Sequence, residues 1–330
     1  MSGRGNRYKK GKLMRYILIF MVLFTTVFAK GLKMPTYIYK VPSGLVTDIV
    51  YKDFKLYAAS DGGEVKIFDT KNKQEIQTIK LDKIKDFMGD VIKSKLFSID
   101  LLDDTLLILS QDNGGYSRVH TFENGKLNLI ITQEDKFNII KAKFINKENI
   151  LIALISNDII SYNLKTKKIN WTVQASMSKF SSFALNNNKS EVAIADESGD
   201  VHIIATKNGK KIKTLSGENV DNVFSIDFKK NVVLTGGQDR RAGVYNLKNK
   251  TAYYQTTDFF IYGVGLSPSG NIGAYSSDVN NDVNVFDTST RELLGRYKAT
   301  KMVVNSIYFI NEKEFFINSS SHSIGYYKIQ

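Results

Sequence analysis

Ser60 to Ile79 reads SDGGEVKIFDTKNKQEIQTI. It is a tight turn (Asp61-Gly62-Gly63), a strand ending on an aromatic (Phe68), a Lys/Asn turn and a second strand. The same unit returns as VHTFENGKLNLII from Val119, IISYNLKTKKINWTV from Ile159 and VHIIATKNGKKIKTL from Val201. It returns again as AGVYNLKNKTAYYQT from Ala242 and VNVFDTSTRELLGRY from Val283, and last as IGYYKIQ from Ile324, cut short at Gln330. The equivalent residues are Phe68, Phe122, Tyr162, Ile204, Tyr245, Phe286 and Tyr327, spaced 54, 40, 42, 41, 41 and 41 apart. A period near forty, with about four strands per unit, is the signature of a β-propeller. Seven copies predict an all-β, seven-bladed disc.

Each unit reads as strand a, strand b, a b–c turn, strand c, a c–d turn and strand d. In the first, VTDIVYK, KLYAAS, EVKIFDT and EIQTIKL are the four strands. Glycine and asparagine supply the backbone angles that tight hairpins need. The later blades begin near Leu96, Ile139, Phe180, Val223, Ile261 and Val304. The first interval exceeds the others by about 14 residues, matching an insert from Asp82 to Lys95 (DKIKDFMGDVIKSK) between blades one and two. The seventh unit stops after strand c. Thr36 to Val41 (TYIYKV) is expected to supply its missing outer strand and close the ring, since closure removes exposed sheet edges.

Residues 1–29 stand apart. Six cations (Arg4, Arg7, Lys9, Lys10, Lys12, Arg15) and no acid precede an apolar run from Tyr16 to Phe28, and Val27-Phe28-Ala29 forms a small-x-small site. That order is a secretory signal peptide cut after Ala29. The 13-residue run is shorter than the ~20 a spanning helix needs. The domains are therefore a signal peptide, 1–29, and a propeller, 30–330. The expected location is the periplasm, without a stable membrane anchor, as a monomer.

The net charge of +13 falls to +7 without those residues, and the excess is mostly lysine. Lys71, Lys73, Lys165, Lys167, Lys168, Lys207, Lys210, Lys211, Lys248 and Lys250 are expected in corresponding turns and read as solvated turn residues. The stripe lacks the interleaved aromatics of a nucleic-acid surface, so no nucleic-acid partner is expected. The chain has no cysteine. That excludes disulfides, thiol chemistry, c-type haem attachment, Cys-ligated clusters and a lipoprotein anchor.

The blade pattern resembles WD-repeat propellers, most closely in Ser60–Ile79 and Asp282–Tyr297. The family's Trp-Asp is Phe68-Asp69 and Phe286-Asp287 here. The Gly-His pair that opens many family blades is missing, so its Asp–His–Ser–Trp network cannot be complete. Asp61, Asp196, Asp239 and Asp278 hold the b–c turn position. More narrowly, the leader, the Lys-rich divergent blades and the lack of cysteine are similar to the L-type accessory proteins (NapL) encoded beside periplasmic nitrate reductase. That resemblance implies a non-catalytic role in maturation, stability or electron supply, and carries over no catalytic residue. A competing resemblance, Tyr162 to Trp171, is to quinoprotein-type propellers and the outer-membrane assembly lipoprotein of that fold. With a single Trp, the docking of tryptophans between blades is expected to be missing.

The chemistry search returns no enzyme motif. His120 and His202 read as structural residues of c strands, and His322 as a turn residue. No HExxH, GxSxG, P-loop or dinucleotide fingerprint occurs, so no metal, cofactor or catalytic residue is expected. Gly114-Gly115 reads as a hairpin turn and Asp103-Asp104 as an a–b turn. Asp278 to Asp282 alternates oxygen ligands but lacks the Gly and Glu of a calcium loop. The inner strands read as mostly apolar and small, which disfavours a propeller lyase or quinoprotein. A binding platform remains. Its expected protein-contact residues lie where b–c turns and blade-to-blade loops emerge: Arg240, Arg241, Phe180, Phe259, Phe260 and Tyr116, with Phe87 and Met88 in the insert.

Overall fold

The computed structural model describes residues 31–329, and the signal-peptide reading lies outside them. Seven blades follow one another along the chain, each with a four-stranded antiparallel core and one of them carrying a fifth strand, and the molecule is a seven-bladed, WD-repeat-like β-propeller. The inner strands are Val46–Lys52, Leu96–Leu102, Ile139–Phe144, Phe180–Leu185, Val223–Lys229, Val264–Leu266 and Val304–Phe309. The repeat residues share one phase: Phe68 stands opposite Leu56, Tyr162 opposite Ile150, Tyr245 opposite Val233 and Tyr327 opposite Phe315. Antiparallel order sends a–b and c–d turns to one face of the disc, here the turn face. The b–c turns and blade-to-blade loops emerge on the other, the loop face.

The ring closes as the sequence predicts. Tyr37–Lys40 pairs antiparallel with Ser323–Lys328, completing blade seven. Thr36 N–H and Val41 N–H extend the ladder, donating to Tyr326 and His322 carbonyls at 2.8 Å. The chain also does something the period does not announce. Leu32–Lys33 runs parallel to Leu293–Tyr297 as a fifth strand of blade six. The first described residues thus tie blade six before they close blade seven.

Blades pack through seven apolar clusters that alternate around the disc. One joins Ile67, Ile79 and Leu81 of the first blade to Leu96, Ile99 and Ile108 of the second. Between blades six and seven the approach is closest at Gly265, where a Cβ would lie 2.0 Å from the Ile307 carbonyl oxygen. No residue with a side chain fits there without moving one blade.

Two resemblance-based expectations change on contact with the structure. The b–c aspartates do hook loops: Asp61 accepts from Leu45 N–H at 2.7 Å and Asp239 from Val220 N–H at 2.9 Å. In blade six Asp278 sits in the turn but pairs with Arg296, and Asp282 hooks the loop that follows the blade, accepting from Ala299 N–H. Blade five keeps a polar relay with Asn219 between partners: its amide donates to Asp239 at 3.0 Å and its oxygen accepts from Thr235. Inter-blade aromatic docking is also present. Trp171 of blade three donates its indole N–H to the Thr206 carbonyl in the c–d turn of blade four, over Gly209. Tyr253 does the same to Thr288, and Tyr37 to Lys73. A phenol has the same apolar body and donor tip as an indole, so a chain with one Trp docks several blades.

Candidate functional site

A bulge at the start of the inner strands builds the loop face. The register with strand b slips after the first residue in blades one, three, four, five and seven, and at the equivalent place in blade two. One residue per blade is left unpaired, and the alternation of faces is reset. Residues three apart then share the core side: Val46 with Ile49, Leu96 with Ile99, Phe180 with Phe183, Val223 with Ile226 and Val304 with Ile307.

The unpaired residues surround the mouth of the central channel. Thr47, Phe97, Phe224 and Asn305 line a cavity of about 430 Å³ there, together with Tyr262 and Val303. Phe224 stacks on Tyr262 at 5.2 Å, Phe260 lies 6.2 Å from Tyr262, and Phe259 stacks on Phe260 at 5.3 Å. This four-ring group is half-buried. Its edge-on and stacked contacts make it a stiff apolar platform.

The insert lies on the same face, in the loop from blade one to blade two. Ile84–Lys85 pairs with Val91–Ile92 in a two-stranded hairpin. At its tip, Asp86 Oδ1 accepts from the Met88 and Asp90 N–H groups, and Gly89 takes a left-handed angle. Two bonds fasten its base: Asn113 Oδ1 accepts from Lys85 N–H, and Arg118 donates to the Asp82 carbonyl. The knob so fixed presents Phe87, 90% exposed, and Met88, 81% exposed. Met177, Val220 and Met302, in three other blade-to-blade loops, are exposed as well. Single exposed apolar residues are ordinary; a set concentrated on one face marks an interaction surface.

The expected contact residues divide accordingly. Phe87, Met88, Phe259 and Phe260 are on the loop face. Tyr116 is there too, half-buried in the b–c turn of blade two, where its carbonyl accepts from Asp112 N–H. Arg240 is exposed at the tip of its turn, at φ 63°. Arg241 is partly structural: its guanidinium lies 4.3 Å from the Tyr254 ring centroid and 3.9 Å from Asp239. Phe180 is corrected outright. It is 4% exposed and packs on Phe183, because the bulge turns it into the core between blades. Phe97, Phe224 and Tyr262 were missed. A half-exposed aromatic at the second position of an inner strand was the available signal, but without the bulge its direction cannot be assigned.

The inner strands are not mostly apolar, as the sequence suggested. The positions on either side of the central apolar residue face the channel, and several carry charge. Asp48 Oδ2 accepts from Ile99 N–H at 3.0 Å, Asp100 Oδ2 from Phe144 N–H at 2.8 Å and Asp227 Oδ2 from Leu266 N–H at 2.8 Å. Each stitches one blade to the next. Lys143 Nζ bonds Asp48 at 3.1 Å and the Ile99 carbonyl at 2.6 Å. Burial would lower its pKa, but the Asp48 and Asp100 carboxylates outweigh that and hold it raised.

No family model matches this chain, and no curated protein matches it.

Proposed function

We propose that this protein is a non-catalytic binding platform that holds a protein partner on its loop face. The observation that carries the reading is the fastened insert hairpin with Phe87 and Met88 in solvent, on the same face as the aromatic platform at the channel mouth. Rigid aromatic and Met contacts lose little conformational entropy on binding, which favours affinity. Asp86 and Asp90 flank the apolar tip, so the complementary surface is an apolar pocket with a basic rim. Arg240 adds a cation for an acidic group at its periphery.

The specific partner we propose is the periplasmic nitrate reductase system, reached by export through residues 1–29. This rests on the overall sequence likeness to the L-type accessory proteins and on a platform architecture suited to such a role. The test is affinity capture of a tagged chain from the periplasm of nitrate-respiring cells, with bound proteins identified by mass spectrometry. Recovery of reductase subunits or their electron donors, abolished by the Phe87→Asp/Met88→Asp pair, supports both statements. Recovery of envelope-assembly components, lost on the same pair, keeps the surface and overturns the nitrate role. Capture indifferent to the pair overturns the surface.

A further inference from the structure

The central channel opens on the opposite, turn face of the disc as a cavity of about 530 Å³, within the range of small-molecule sites. Its wall carries more lysines than carboxylates. Asp48, Asp100 and Asp227 are all engaged: with Lys143 at 3.1 Å, Lys189 at 3.4 Å and Lys229 at 3.1 Å. Lys52, at the rim, lies 3.9 Å from Asp53. Lys141 also lines the cavity, and among the described residues no carboxylate lies within salt-bridge distance of it. Among the described residues its Nζ donates to Ser182 Oγ alone, at 3.2 Å, and it lies 5.3 Å from the Phe183 ring centroid. An ammonium keeps three donors, and one hydroxyl satisfies one of them. The remaining donors of this half-buried ammonium are available to an anion that enters the cavity.

We propose that the channel is a binding site for a small oxyanion, a carboxylate or a tetrahedral anion, entering from the turn face and held by Lys141 with Ser182. This site lies apart from the loop-face surface and does not depend on it. Engagement of the other channel lysines by aspartates leaves Lys141 as the anchoring charge. The groups that face Lys141 are Lys143, Asp48, Asp227 and Asp100, with Ser182 and the Phe183 ring. Burial, then the Lys143 charge, pulls the Lys141 ammonium down to about 8. Binding needs the protonated form, so affinity is full below that pH and falls as pH rises through it.

The experiment is titration calorimetry of the whole chain with inorganic phosphate, sulfate and succinate at constant ionic strength, with chloride as control. Saturable binding of at least one is expected. Lys141→Met should weaken it at least tenfold without lowering the melting temperature, and Lys141→Arg should restore most of it. Wild-type affinity should fall about tenfold per pH unit above the Lys141 pKa, which the same titrations read without any variant. Succinate binding alone assigns a carboxylate ligand; phosphate or sulfate binding assigns a tetrahedral one. No binding beyond chloride, equal binding by Lys141→Met, or a flat profile from pH 7 to 9.5 overturns the proposal.

Discussion

The closure strand offers the sharpest test of how the disc is held. Tyr39 and Ile38 are neighbours in Tyr37–Lys40, and pleating sends them to opposite sides. Tyr39 is 3% exposed and packs on Phe68 at 5.4 Å and Phe316 at 6.1 Å, bridging blades one and seven. Ile38 is 42% exposed opposite Gly325. Truncating a buried aromatic costs about 3–5 kcal/mol in lost transfer energy and cavity, so Tyr39→Ala should lower stability by that amount. Ile38→Ala keeps the same ladder hydrogen bonds and removes a half-solvated side chain, so about 1 kcal/mol or less is expected. Urea denaturation of both variants gives the two values. Hydrogen exchange at Ser323–Lys328 reports whether the strand stays paired, and should accelerate in Tyr39→Ala alone. Costs within 1 kcal/mol of each other, or a larger cost for Ile38→Ala, would refute the assignment of faces and the claim that this strand seals the ring through side-chain packing.

Three further outcomes are expected. Arg240→Glu should leave the melting temperature unchanged, whereas Arg241→Glu should lower stability by roughly 1–3 kcal/mol, since it loses a ring contact and places a carboxylate beside Asp239; equal stabilities would show Arg241 to be as free as Arg240. Burial, with the Arg118 charge beside it, lowers the His120 pKa to about 4, and its Nδ1 is buried without a partner. Below the unfolded value of about 6.5 the unfolded chain takes up the proton and the native state does not, so stability falls by about 3 kcal/mol between there and the folded value; His120→Gln should remove that limb of a stability-versus-pH curve. Burial of Asp196 opposes its charge, but the His202 ring 3.3 Å away and hydrogen bonds from Ser176 and Ser198 prevail and depress its pKa. Its contribution is fully present above the unfolded carboxyl range and is lost progressively as pH falls from there through the depressed folded value, so Asp196→Asn should be most costly at neutral pH and less so with each step into acid.

The blades, their phase and the seam were legible because each is written locally and repeated. A strand's alternation, a glycine turn and an aromatic at the end of strand c recur every forty-odd residues, and only one class of fold places each copy in an equivalent environment. TYIYKV was readable as a closing strand because the last unit lacked one. The direction of a side chain at the head of an inner strand was not readable. Phe180 and Phe224 look alike in sequence, yet Phe180 is the paired first residue and Phe224 the unpaired second. One residue of slip exchanges core for solvent, and nothing local to those segments fixes it.

What the sequence determined by itself is therefore the repeated unit: seven blades, their order, the insert between the first two and the strand that seals the last. Only the tertiary structure decided what meets at the axis. Asp48, Lys143, Asp100 and Lys189 come from four different blades, and each alone is an ordinary polar residue of a strand or turn. Ring closure brings one position from every blade to a common axis. There charges that pair and stitch the blades leave Lys141, among the described residues, without a carboxylate at salt-bridge distance. Local hydrogen bonding and periodicity write the blade, but a site assembled one residue per blade exists only after long-range packing has fixed distance and direction.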